Sequence, residues 1–164
     1  MSPLRVGDRV PETTFGVLRA DGPGSLSAAE VFEGRTVVLF GVPGAFTSTC
    51  SEVHLPGFVA RADDLKAAGA DTVACVAVND AEVLNAWARQ RGVGEHLKML
   101  ADGNADFVRA CGLDVDLSRF GMGTRSRRFA AVVVDGVVRH LAVENGPGVS
   151  VSGAEPTLEA LRAL

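Results

Sequence analysis

The sequence predicts an α/β fold, a central β-sheet flanked by helices. Thr36–Phe40 and Thr72–Val78 are short, continuous apolar runs with the length of buried strands. Each is followed by a stretch whose apolar residues recur at helical spacing. Near the C-terminus, Asp135-Gly136 separates two β-rich runs, a strong signal for a tight hairpin. The length of 164 residues suits one domain spanning 1–164.

Ser27-Ala-Ala-Glu30 has capping-box spacing and opens a short helix ending at Gly34. Thr36–Phe40 is the first buried strand. A helix is expected from Thr47 to Ala68, bent at Pro56, where a missing N–H and the ring disturb the hydrogen-bond ladder. Phe58, Ala62 and Leu65 form its apolar stripe, and Gly69 closes it. Thr72–Val78 is the second strand. Asn79 or Asp80 caps a helix from Ala81 to about Arg91, with Val83, Leu84, Trp87 and Ala88 on one face, read as core. Lys98–Ala101 is a short strand and Ala105–Cys111 a short helix before Gly112. Arg128–Val134 and Val137–Val143 form the hairpin, and Glu155–Leu164 is a final amphipathic helix. Strand–helix–strand–helix followed by a hairpin and a helix is the order of a thioredoxin-like α/β sandwich with a mixed sheet.

Composition narrows the function classes. Hydrophobic residues at 47% and charged residues at 22% describe an ordinary globular chain. A net charge of −4 argues against nucleic acid and against an anionic membrane surface. No apolar run reaches a membrane span, and MSPLRVGDRVPETTF has no signal core. Three cysteines without secreted-type spacing read as thiols in a reducing compartment, so the cytoplasm is expected. No P-loop or G-x-G-x-x-G occurs, and no Cys/His cluster has zinc-ligand spacing.

The chemistry concentrates in Gly41–Phe58, GVPGAFTSTCSEVHLPGF. The strand ending at Phe40 turns through Gly41, Pro43 and Gly44 into a helix starting near Thr47. Cys50 then lies in the first turn or so, where unpaired N–H groups and the helix dipole favour an anion. Only the thiolate is a useful nucleophile, which makes Cys50 the leading candidate. Pro43, Thr47 and Cys50 give P-x-x-x-T-x-x-C. Thr47, one turn back, shares a face with Cys50 and can offer a hydroxyl. Pro43 can wall off a pocket without competing for hydrogen bonds. Backbone N–H groups near Ser48, Thr49 and Cys50 can hold developing negative charge. For a fixed positive charge the candidates are Arg125, Arg127 and Arg128. His54 is read as a surface or packing histidine rather than a general base.

Pro43, Thr47 and Cys50 match the active-site motif of the peroxiredoxins, and GVPGAFT-x-x-CS-x-x-HLPGF is similar to the type II, or peroxiredoxin-five, branch. VACVAVND at 73–80, Trp87, Leu100-Ala-Asp102, RSRRFA at 125–130, and the Asp135-Gly136 hairpin leading into Val143-Glu144 extend the resemblance over nearly the whole chain. The resemblance implies a thioredoxin fold with an N-terminal extension, a homodimer, and peroxide reduction by a cysteine thiolate without metal or organic cofactor. It places the active-site arginine at Arg128. Strand alternation sets Arg127 and Arg128 on opposite faces, so only one of them serves that role, and Arg125 is the lesser substitute.

By the same resemblance, Cys50 displaces one peroxide oxygen as water or alcohol and becomes a sulfenic acid. Two cycles then stay open. Cys75, 25 positions later, has a spacing seen in plant and some bacterial type II members and is the candidate resolving cysteine of an intramolecular disulfide. Its place in a predicted buried strand favours the other cycle, in which glutathione, glutaredoxin or thioredoxin attacks oxidised Cys50 directly. Gly148–Ser152 carries no cysteine, unlike the animal-type members at this point. The rival readings are a thiol–disulfide oxidoreductase, weakened by the absence of C-x-x-C, a Cys–His hydrolase, and a non-catalytic redox sensor using Cys50 stoichiometrically.

Overall fold

The computed structural model describes residues 3–164. Its centre is β3 (Thr36–Val42), a strand paired in parallel with β4 (Thr72–Ala77) on one side and antiparallel with β8 (Phe129–Val134) on the other. Beyond β4 lies β5 (Lys98–Ala101), again parallel, and beyond β8 lies β9 (Val137–Val143), its hairpin partner. The sheet is completed by β1 (Thr14–Arg19) and β2 (Gly22–Ser27), giving the mixed order β2-β1-β5-β4-β3-β8-β9.

Alternation along β3 feeds two cores. Val38, Phe40 and Val42 face one side with Phe58, Leu65, Cys75 and Trp87, while Val37 and Leu39 face the other with Phe15, Phe32, Phe107 and Val133. The first face is covered by α2 (Leu55–Ala67), α3 (Ala81–Gln90) and α5 (Ala154–Arg162). The second carries α1 (Ala28–Phe32) and α4 (Asp106–Cys111). The apolar stripes predicted on α2 and around Trp87 are accordingly core.

Local signals act as their chemistry requires. Ser27 and Glu30 close a reciprocal capping box on α1. Asp80, rather than Asn79, caps α3 by accepting from the Val83 N–H at 2.8 Å. Asp135 and Gly136 both take positive φ, 48° and 78°, as a two-residue turn between twisted strands demands.

The expected N-terminal extension is the β1–β2 hairpin, whose second strand, GPGSLS, lacks the β-branched residues that would have flagged it. A second small sheet, β6 (Asp114–Asp116) with β7 (Thr124–Ser126), was likewise not anticipated.

The long helix expected from Thr47 to Ala68 is irregular just before Pro56, the residue expected to disturb its hydrogen-bond ladder. Its irregularity is a π-helical turn at Cys50–His54, where the Leu55 N–H reaches back five residues to the Cys50 carbonyl. In an uninterrupted α-helix the Pro56 ring would collide with the carbonyl four residues earlier. The widened turn accommodates it, and Pro56 stands in the first turn of α2, where its missing N–H is least costly. No helix among the described residues is long and apolar enough to cross a membrane.

Candidate active site

β3 delivers the chain to Val42, and the loop Pro43–Thr47 carries it to the helix bearing Cys50. Several side chains fix that loop. Arg125 donates from Nε to the Met122 carbonyl at 2.9 Å, and its Nη1 lies 3.5 Å from the Pro43 carbonyl and 3.4 Å from that of Val78. Asn79 accepts the Ala45 N–H at 3.0 Å. Thr47 Oγ1 donates to the Gly44 carbonyl at 2.7 Å. Phe46 takes a left-handed φ of 66° and leaves 49% of its surface exposed at the rim.

The first helical backbone bond here runs from Ser51 N–H to the Thr47 carbonyl at 2.9 Å. The N–H groups of Ser48, Thr49 and Cys50 therefore precede the ladder and point toward the site end of the helix. Cys50 is fully buried. Arg128 donates from Nη2 to Cys50 Sγ at 3.2 Å, so the sulfur has a cation in contact.

Arg128 is itself held. Its Nη1 lies 3.0 Å from His54 Nδ1, and His54 Nε2 lies 2.8 Å from the Ser152 carbonyl. A guanidinium only donates and a carbonyl only accepts, so His54 must be neutral with its proton on Nε2. Burial, opposed by the Ser152 bond and assisted by the Arg128 charge, lowers its pKa to about 4, which agrees with that state. The ring packs against both Phe40 and Phe58, which stack on each other, at centroid distances of 5.0 and 5.5 Å. His54 is thus a packing histidine as expected, yet it also touches the arginine. The CSEVH spacing was the signal available for this, since residues four apart share a helix face.

Three further groups make contacts at the site that the sequence does not reveal. Trp87 Nε1–H donates to Ser51 Oγ at 2.9 Å, pinning α3 to the turn that carries Cys50. Glu144 accepts four hydrogen bonds, from the N–H and hydroxyl of Ser150 and of Ser152. Burial would raise the Glu144 pKa, but those bonds outweigh it and hold the carboxyl at about 2. Ser152, bonded at its N–H, hydroxyl and carbonyl, links Glu144 to His54.

Among the arginines, Arg128 meets the sulfur, Arg125 fastens the Pro43 loop, and Arg127 is exposed. Pro43, Thr49 and Arg128 line one end of an open groove of about 580 Å³ whose other walls include Val115, Leu117 and Phe120. Cys75 is fully buried in β4, beside Phe40 and Met99 on the neighbouring strands. Burial pushes its thiol well up, and the neighbouring Cys50 acts in the same direction. Cys111 is buried in the opposite core; desolvation, then Asp102, raises it to about 12. All three cysteines are unpaired.

A cysteine at the head of a helix, in contact with a guanidinium and mounted on a thioredoxin-like sheet, defines a class of enzymes that work through a thiolate. The Redoxin family matches residues 5–158. Peroxiredoxin-2C of Oryza sativa subsp. japonica is 45% identical, with 98% of this chain and all of that protein covered. The chloroplastic peroxiredoxin-2E-2 of the same organism is 47% identical over 96% of this chain and 72% of its own length. Reduced Prx3 from Vibrio vulnificus, solved in complex with hydrogen peroxide, superposes with a TM-score of 0.92 at 46% identity, covering 96% of this chain and 99% of that one. The chain belongs to the redoxin family and, within it, to the type II peroxiredoxins: it is a thiol-dependent peroxidase.

Proposed function

We propose that Cys50 is the peroxidatic residue and that Arg128, Thr47 and the Cys50 N–H bind the two oxygens of hydrogen peroxide or an alkyl hydroperoxide. The observation carrying this assignment is the 3.2 Å contact between Arg128 Nη2 and Cys50 Sγ at the start of the helix. Thr47 Oγ1 spends its proton on the Gly44 carbonyl, so its lone pairs are free to accept from a peroxide O–H. Pro43 walls the groove that Arg128 also lines.

The thiolate attacks the near oxygen in line with the O–O bond. That bond breaks, an S–O bond forms, and the departing hydroxide or alkoxide takes up a proton and leaves as water or alcohol. Sulfur is oxidised to the sulfenic acid and the peroxide is reduced. Negative charge moves from sulfur to the leaving oxygen, and the guanidinium and N–H donors stabilise it most strongly in the stretched state.

For regeneration, an external thiol such as glutathione, or the thiol of glutaredoxin or thioredoxin, attacks Cys50 sulfenic acid and releases water. A second thiol then frees Cys50. Because Cys50 is fully buried, the turn Cys50–His54 opens for either that attack or for pairing with Cys75. A reducing compartment such as the cytoplasm suits three unpaired thiols. A homodimer accords with the family and with the exposed Phe46 and Phe120.

The decisive measurement is peroxide consumption through many turnovers with glutathione and glutaredoxin. Wild-type protein is expected to turn over and Cys50→Ser to be inert. Equal rates in the two proteins would remove Cys50 from the reaction, and a single stoichiometric turnover would make the chain a redox sensor.

A further inference from the structure

We propose that Glu144 is a positioning residue for the peroxidase reaction, clamping the Ser150–Ser152 turn so that the Ser152 carbonyl fixes His54 and, through it, the fork of Arg128. The inference rests on the peroxidase reading of Cys50 and Arg128, and it extends that site to a carboxylate that does not touch the sulfur.

The connection is continuous. Glu144 Oε2 accepts the N–H groups of Ser150 and Ser152, each at 2.8 Å, and the Ser152 hydroxyl at 2.6 Å, while Oε1 accepts the Ser150 hydroxyl at 2.8 Å. Four donors on one carboxylate leave the turn little freedom. With its N–H and hydroxyl both fixed, Ser152 presents its carbonyl to His54 Nε2 at 2.8 Å. A carbonyl at that place selects the tautomer with hydrogen on Nε2 and a bare lone pair on Nδ1. That lone pair receives Arg128 Nη1 at 3.0 Å and leaves Nη2 aimed at Cys50 Sγ, 3.2 Å away. A hydrogen on Nδ1 instead would oppose the guanidinium and turn it aside.

Glu144 also holds Arg128 from the backbone side, because its N–H donates to the Arg128 carbonyl at 2.9 Å. One residue therefore grips the arginine at the main chain and, through Ser152 and His54, at the guanidinium. Nothing in simple loop anchoring requires the carbonyl to meet a histidine that in turn meets the catalytic arginine.

Two measurements test the clamp. Nitrogen NMR of the imidazoles in wild-type protein is expected to show His54 as the neutral Nε2–H tautomer; the Nδ1–H tautomer would overturn the proposal with no variant needed. Rates of Cys50 oxidation by hydrogen peroxide and of its alkylation by iodoacetamide are then compared in Glu144→Ala and Glu144→Gln. Glu144→Ala is expected to lose about tenfold to a hundredfold in peroxide rate through misplacement of Arg128, with alkylation changed far less. Glu144→Gln keeps an acceptor in the clamp and is expected to recover most of the loss. An equal fall with both reagents would reduce Glu144 to a stability role, and an unchanged peroxide rate in folded Glu144→Ala would refute the clamp. Wild-type protein that fails to consume peroxide would instead defeat the underlying peroxidase reading.

Discussion

One guanidinium, that of Arg128, bridges His54 Nδ1 at 3.0 Å and Cys50 Sγ at 3.2 Å, so the sulfur and the cation beside it share a single hydrogen-bonded support. The bridge needs a planar fork with two directed donors, which an ammonium does not provide. Arg128→Lys is therefore expected to resemble Arg128→Ala rather than the wild type. Loss of directed donors to a developing charge costs on the order of a hundredfold to a thousandfold in rate. Stopped-flow Trp87 fluorescence, reporting from a side chain bonded to Ser51 beside Cys50, measures it. A near-native rate in Arg128→Lys would show that charge alone suffices.

The same support makes stability depend on pH. His54 has a folded-state pKa of about 4, depressed below its ordinary 6.5 chiefly by burial. A depressed histidine contributes stability above the unfolded value and loses it as pH falls through the window from 6.5 to about 4. The unfolded chain takes the proton first. The loss amounts to about 3 kcal/mol across that window. Glu144, held at about 2, then gives up its contribution below its ordinary 4.5. Urea midpoints measured at successive pH values are expected to fall in two stages, and His54→Phe is expected to remove the upper one while keeping the lower. A single-stage profile in the wild type would contradict the buried neutral histidine.

How far this arrangement could be read beforehand differs residue by residue. The placement of Cys50 and Thr47 after a buried strand and at a helix start is legible because strand, tight turn and helix start are local patterns, and local patterns survive folding. The Asp135-Gly136 turn and the Ser27–Glu30 capping box are legible for the same reason. Arg128 came from family likeness, since three arginines within four positions look alike until β8 orients them. Glu144 and Ser152 were invisible as site features because, although Glu144 binds the nearby Ser150 and Ser152, the link from Ser152 to the site runs to His54, 98 positions away. The π-helical turn escaped as well. A proline four residues past a carbonyl signals disturbance, but packing decides whether the helix bends or widens.

Cys75 separates the two regeneration cycles. It is fully buried in β4, and burial holds its thiol far above the range in which a thiolate forms at neutral pH. Cys75→Ala, which avoids placing a hydroxyl in the core, is expected to keep most turnover with glutathione and glutaredoxin. The cavity left by removing sulfur is expected to cost about 1 kcal/mol, read as a lowered urea midpoint. Near-total loss of turnover, together with a Cys50–Cys75 disulfide detected by mass spectrometry in oxidised wild type, would assign resolution to Cys75.

Gly41 tests how tightly the sheet sets the site. It lies opposite Phe129 in the β3–β8 pairing, and a Cβ built at Gly41 would sit 2.1 Å from the Phe129 ring. No side chain coexists with that contact, so in Gly41→Ala the ring or the strand must move. Phe129 directly follows Arg128, and overpacking of this kind costs about 1–3 kcal/mol. The displacement is expected to do more than lower stability: by shifting the start of β8 it withdraws the guanidinium from Sγ and slows peroxide attack. Gly41→Ala combined with Phe129→Leu relieves the collision and is expected to regain much of the rate as well as the stability. Recovery of stability without recovery of rate would mean that the ring of Phe129, rather than the space it occupies, sets the place of Arg128.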